Sequence, residues 1–179
     1  LGLLDNDIDK ASVELIHSLD EDLDSPLKGR ILKLPKDKNT WIKTNQLLPV
    51  VKGLLSPGGC LDEKKTSERK RILIAYLQSI SKTFPDAWTD EKCVNYALLK
   101  ASSLQITFGL LPDTMQRCNF YENFSYTVET FNRQLEPLSE IALLNNWRKS
   151  SVDEALSTKP KREMFFGQLK AVLKVKPSS

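Results

Sequence analysis

Apolar side chains recur at three- and four-residue intervals through most of this chain, which is the period of a helix with one buried face. Ile8, Ala11, Leu15, Ile16 and Leu19 predict an amphipathic helix over 8–19, stopped by the acidic run 20–24 and by Ser25 and Pro26. Residues 30–34 and 40–43 flank a polar segment and predict a short hairpin. A second helix is expected from Thr44, as cap, to about Leu55, with Leu47, Val51, Leu54 and Leu55 inward and Pro49 in the first turn. Ser56, Pro57, Gly58 and Gly59 form the clearest break. A long helix over about 66–83 follows, with Thr66 as cap and with Ile72, Leu73, Tyr76, Leu77, Ile80 and Phe84 on one stripe, and Phe84, Pro85 and Asp86 stop it.

From 92 to 111 the chain is apolar almost all round, from Val94 to Leu111, which predicts a central buried helix. Pro112 and Asp113 restart a short helix through Cys118. Phe124, Val128, Phe131 and Leu135 make an i, i+4, i+7, i+11 stripe that Pro137 is expected to break, with a further helix reaching about Trp147. Residues 148–157 read as a loop, and a last helix over about 159–174 opens at Pro160 with Phe165, Leu169, Val172 and Leu173 inward. The expected fold is therefore mainly α: a single compact domain over 1–179, of about six to eight helices, with one short hairpin near 30–43.

The 179 residues are 40% hydrophobic and 27% charged, enough apolar side chain to form one core without disulfides or metals. No run approaches the ~18 apolar residues of a membrane span. The N-terminus lacks the basic flank and apolar core of a signal peptide, and a cytoplasmic setting is expected. The first residue is Leu1, which suggests a piece of a larger protein. The net charge is only +3, but it is unevenly spread. Residues 1–25 hold eight acids and Lys10, whereas 148–179 hold eight bases and three acids. The two ends would attract each other or face different partners.

Catalytic and metal chemistry finds little footing. His17 is the one histidine and lies inside the first helix, with no nucleophile motif around it. Cys60, Cys93 and Cys118 have no paired spacing and read as free structural thiols. Asp5, Asp7 and Asp9 begin like a calcium loop, but Lys10 and Ile16 stand where Gly and Glu are required. The carboxylate pairs Glu122 with Glu129 and Asp153 with Glu154 sit in no catalytic frame, and only raised pKa values in a shared pocket would give them a role. No catalytic residue, metal or cofactor is assigned. Two basic clusters remain as candidate nucleic-acid contacts: Lys64, Lys65, Arg69, Lys70 and Arg71 at the start of the long helix, and Lys159, Lys161 and Arg162 opening the last one. Trp41, Trp88 and Trp147 are expected to anchor the core.

Several segments, in order, resemble the C-terminal helical half of the DGQHR-domain family, the bacterial group that includes the DndB protein of DNA sulfur-modification systems. They are SPLKGRI at 25–31, WIKT at 41–44 with the leucine pairs at 47–48 and 54–55, ILIAY at 72–76 with FPDAW at 84–88, and LLKA at 98–101 with GLLPD at 109–113. The resemblance runs from about residue 8 to about 174. The Asp-Gly-Gln-His-Arg motif itself is absent; in the family it lies earlier, in an α/β half similar to ParB-like nuclease folds. The resemblance therefore implies context rather than catalysis: a bacterial cytoplasmic protein linked to DNA modification, defence or regulation.

Two readings follow. One is a non-catalytic helical domain that touches DNA through phosphate contacts. The other is an interaction or structural module that supports a missing N-terminal domain or a homo-oligomer, and that leaves an apolar patch exposed.

Overall fold

In the computed structural model, residues 2–32, 42–141 and 144–174 are described. The helices are α1 (Gly2–Glu21), α2 (Thr44–Leu55), α3 (Thr66–Thr83), α4 (Pro85–Thr89), α5 (Ala101–Gly109), α6 (Leu111–Tyr121), α7 (Val128–Ser139), α8 (Lys149–Leu156) and α9 (Lys159–Leu173). The strands β1 (Ile31–Leu32) and β2 (Ile42–Lys43) are two residues each. The mainly helical single domain expected from the periodicity is the architecture found.

Helix α3 lies at the centre because its apolar residues run round most of its surface. From Ile72 to Leu77 every side chain is buried, as are Ser79 and Ile80. It packs chiefly on α7, and also on α1 and α4; α2 bridges α1 to α5, and α9 closes against α6, α7 and α8. Tyr76, fully buried, ties three of these helices. Its hydroxyl donates to the Thr107 carbonyl of α5 at 2.8 Å, and its ring meets Phe131 of α7 edge-on at 5.4 Å. Ser79 adds a second tie, donating to the Val128 carbonyl at the start of α7 at 2.7 Å.

Two turns show why the helices end where they do. Gly59 lies so close to the end of α2 that a Cβ there would collide with the Leu54 carbonyl, so the turn after α2 needs glycine. After α4, Asp90 accepts from three successive backbone N–H groups, those of Val94, Asn95 and Tyr96, at 3.0, 2.7 and 2.8 Å. Partial desolvation pushes its carboxyl up, but the three donors outweigh it and hold the group below the usual carboxylate range.

The structure corrects several local expectations. The two described strands near 30–43 do not pair in the antiparallel way of a hairpin: β1 and β2 pair in parallel, Ile31 with Ile42 and Leu32 with Lys43. So short a pair has little directional preference of its own, and burial of both isoleucines, 2% and 0% exposed, decides the pairing. The residues between the strands, with Trp41, lie outside those described. The caps of α2 and α3 fall one residue earlier, at Lys43 and Lys65. The stretch 92–111 is not one helix. Residues up to 100 form turns around Asp90, Val94 is 63% exposed, and α5 starts at Ala101. Pro137 does not break α7, because it falls in the last turn, where only one backbone bond is lost. The helix expected to reach Trp147 is replaced by a 3-10 turn over Asn145–Trp147, all three residues being left-handed (φ 38°, 53° and 64°). The expected loop at 148–157 is mostly α8, whose Val152 and Leu156 are buried.

Trp88 and Trp147 are core residues, as expected. Trp147 stands edge-on between Phe84 and Phe165, at 6.5 and 6.2 Å. Its segment is stitched to the one before α5: Ala97 N–H donates to the Trp147 carbonyl and Lys149 N–H to the Asn95 carbonyl.

Tyr76→Phe should cost about 1 kcal/mol in urea denaturation, since the Thr107 carbonyl keeps a second donor in Leu110 N–H. Tyr76→Ala should cost about 3–5 kcal/mol. Because the folded-state pKa of Asp90 is lowered, its contribution is present above the unfolded value of ~3.9 and is lost as pH falls through the folded one. Asp90→Asn should therefore lower the denaturation midpoint at pH 7 and flatten its decline below about pH 4.

Candidate nucleic-acid interface

The five cations at the start of α3 do not form one patch. Arg69 turns back on the chain: its Nε donates to the Leu61 carbonyl at 2.9 Å and its Nη2 to the Asp62 carbonyl at 2.5 Å, pinning the segment that leads into the helix. Lys70 pairs with Asp22 at 2.7 Å, and that hydrogen bond holds the Asp22 carboxyl below its ordinary range. Arg71 is exposed beside the same acidic edge, sharing a groove with Asp22 and Asp24. Lys64 points the other way, 3.4 Å from Glu68 and 5.6 Å above the Tyr126 ring, and Lys65 stays exposed next to it.

The three cations of α9 are also engaged. Lys161 pairs with Glu154, Lys159 lies 3.8 Å from Glu163, and Arg162 donates to the Leu156 carbonyl at 3.0 Å. Lys159 and Arg162 border a shallow cleft of about 330 Å³ floored by Val50, Ile106 and Phe166. Phe166 reaches there because Gly109 has no side chain in its way. The acidic start does not meet the basic end in the ion pairs described: Asp9 pairs with Lys52 of α2, and Asp22 with Lys70 of α3.

What the residue pattern missed lies at the end of α6. Phe120, Tyr121 and Phe124 are 55%, 49% and 65% exposed, within five residues of chain. Phe124 does not share the apolar stripe of Val128, Phe131 and Leu135: it precedes α7 and faces solvent. Its backbone is left-handed (φ 61°), as is that of Asn123 (φ 48°). Such residues cost on the order of 1–3 kcal/mol each and persist only where their surroundings fix them. Here the fixing contacts are visible. Phe124 N–H donates to the Cys118 carbonyl, Tyr126 Oη to Asn119 Oδ1, and Glu122 is gripped by Arg133 at 2.6 and 2.9 Å and by Gln134 at 2.8 Å.

At 100° per residue, the buried face of α6 is centred between Leu111, Thr114, Met115 and Cys118. Phe120 then lies near the middle of the outer face. Arg117 and Tyr121 flank it on one side, the guanidinium 5.3 Å over the ring, and the Phe120 and Tyr121 rings meet at 4.8 Å. Asn119 flanks it on the other side and leads through Tyr126 to Lys64. Arg117 Nε is buried without a hydrogen-bond partner among the described residues. The order across the face is thus Arg117, the exposed rings, then Asn119 and the buried Tyr126 ring with Lys64 above it. A signal existed in the sequence: Leu111, Met115 and Cys118 share one stripe of the helix, position 120 falls about 180° from it at 100° per residue, and Asn123 favours the left-handed turn that follows.

Other chemistry gains no support. Arg133 holds Glu122 below the ordinary carboxylate range, and Glu129 is lowered by backbone and Thr127 hydrogen bonds, so neither is raised towards general-acid use. Asp153 pairs with Lys100. Burial pushes the Cys60 thiol up to about 12 and the Cys118 thiol to about 11, and raises Cys93, the reverse of an activated cysteine. His17 is half-buried, with Nε2 3.5 Å from Thr44 Oγ1. Asp5, Asp7 and Asp9 lie along α1 rather than in a loop, and no three metal-ligating side chains cluster among the described residues. No helix among them is long and apolar enough to cross a membrane. Compared with family models, with curated proteins and with solved structures, the chain matches none.

Arg69→Met should lower stability by about 1–2 kcal/mol, because two backbone carbonyls lose a charged donor. Lys65→Glu should stay within about 0.5 kcal/mol, as an exposed substitution. Denaturation of the two variants side by side separates structural from available charge in this cluster.

Proposed function

We propose that this chain is a non-catalytic helical domain that contacts nucleic acid, as its resemblance to the DGQHR/DndB-like proteins implies, in bacterial DNA modification, defence or regulation. The observation that supports this reading is the face at the end of α6, where Arg117 lies over the exposed Tyr121 ring, Lys64 lies over the buried Tyr126 ring, and exposed Lys65 follows Lys64 in the chain. Phosphate oxygens suit the cations, and base faces suit the rings. The number of available cations is small. Of the eight expected contacts, Lys65 and Arg71 are the two without an ion pair or backbone partner among the described residues, and Arg71 lies at the acidic edge.

A second reading is favoured by the same rings: a docking module whose exposed aromatic patch meets another domain or a second copy of the chain.

Fluorescence anisotropy with labelled oligonucleotides at 20–200 mM salt, used as about the working range, tests the first reading. Contacts from Lys65 and Arg117, with Lys64 held by Glu68, should give a slope of log affinity against log salt of about −1.4 to −1.8, at ~0.7–0.9 per phosphate. A slope near −7 would mean instead that all eight cations reach phosphate. The double substitution Lys65→Glu with Arg117→Glu should abolish binding, and Arg71→Glu should leave it nearly unchanged. Absence of binding at the lowest salt would overturn the reading.

A further inference from the structure

We infer that the α6 face takes single-stranded nucleic acid, with unpaired bases stacking on Phe120 and Phe124 while Arg117 and Lys65 hold the phosphates on either side. The inference rests on the nucleic-acid reading above and adds to it the kind of strand bound and the mode of contact.

The argument begins with exposure. An aromatic side chain about half open to water on a domain surface loses hydrophobic stabilisation; three such residues fall within five positions of chain, and the Phe120 and Tyr121 rings touch. The next step is rigidity. The turn carrying Phe124 is held in a left-handed conformation by Glu122, which Arg133 and Gln134 clamp, and by Phe124 N–H on the Cys118 carbonyl. The ring is thus presented at a fixed position, and stacking on it requires little further ordering.

The occupant follows from shape and charge together. Arg117 over the Tyr121 ring, and exposed Lys65 next in the chain to the lysine that covers Tyr126, point to a polyanion. Glu68 and Glu122 are spent on neighbouring cations, Lys64 and Arg133, which leaves Lys65 and Arg117 as the cations to meet phosphate. A duplex offers its phosphates but keeps its base faces stacked inside, so rings that stand proud of the surface would gain nothing from it. A single strand offers both groups at once, and stacking tolerates any base.

The test compares a labelled 20-mer of thymidine with a blunt 20-bp duplex, each probe of about that length, at equal low salt. Phe120→Ser with Phe124→Ser should weaken binding of the single strand about tenfold or more and leave the duplex unchanged. Both positions are exposed, so circular dichroism and the melting midpoint should match the parent chain. Phe124→Trp should retain binding, and its added indole emission should be quenched by the single strand.

Equal binding of the two probes, unaffected by loss of the rings, would overturn this inference and leave the nucleic-acid reading standing. No binding of either probe would overturn both. Sedimentation that reveals self-association abolished by the ring substitutions, with no oligonucleotide bound, would overturn both as well and assign the rings to a second copy.

Discussion

The phenol of Tyr76 holds the centre of this fold. It is fully enclosed, and its oxygen has to find a partner there or α3 would carry an unsatisfied polar group into the core. The Thr107 carbonyl supplies that partner and so sets the depth at which α5 meets α3. The ring edge against Phe131 sets the approach of α7 in the same way. Because α7 also supports α6 and α9, the position of the exposed aromatic turn depends at one remove on this residue. Ser79, a turn further along, repeats the device with a smaller side chain.

Much of this was legible in the residue pattern. The extents of α2, α3 and α9 follow from apolar spacing, because each has one continuous buried stripe and a distinct break at its end. The misreadings have a common physical source: apolar residues that are not helical, or helical residues that are not strongly apolar. Residues 92–100 are rich in Val, Ala and Leu, yet the Asp90 carboxylate draws three N–H groups into a turn and withdraws them from a helix. α8 has few apolar side chains beyond Val152 and Leu156, so its periodicity is faint, and it forms because α9 covers those two. Phe124 matched a helical interval by coincidence, since intervals carry no information about a left-handed turn between the two positions.

The site was less legible than the fold, and electrostatics explains the difference. A count of lysines and arginines treats each as a charge facing outward. In the folded chain a guanidinium is equally an organiser of backbone carbonyls, as Arg69 and Arg162 are, and an ammonium is equally a partner for a neighbouring acid. Two of the acidic residues near the N-terminus, Asp9 and Asp22, are spent in this way on α2 and α3. Arg117, which belonged to neither basic run, is the cation that stands over an exposed ring.

The placement of Trp147 bears on how the molecule comes apart. Its indole stands between Phe84, at the end of the central helix, and Phe165, in the last helix, while its carbonyl receives the Ala97 N–H. Chain termini ordinarily open first and most often. Here α9 cannot lift away without exposing one side of Trp147 and loosening the strut that positions the segment before α5. The last helix consequently shares the cooperative unit of the core, and its amide protons belong with the slowly exchanging protons of the centre rather than with a fraying end.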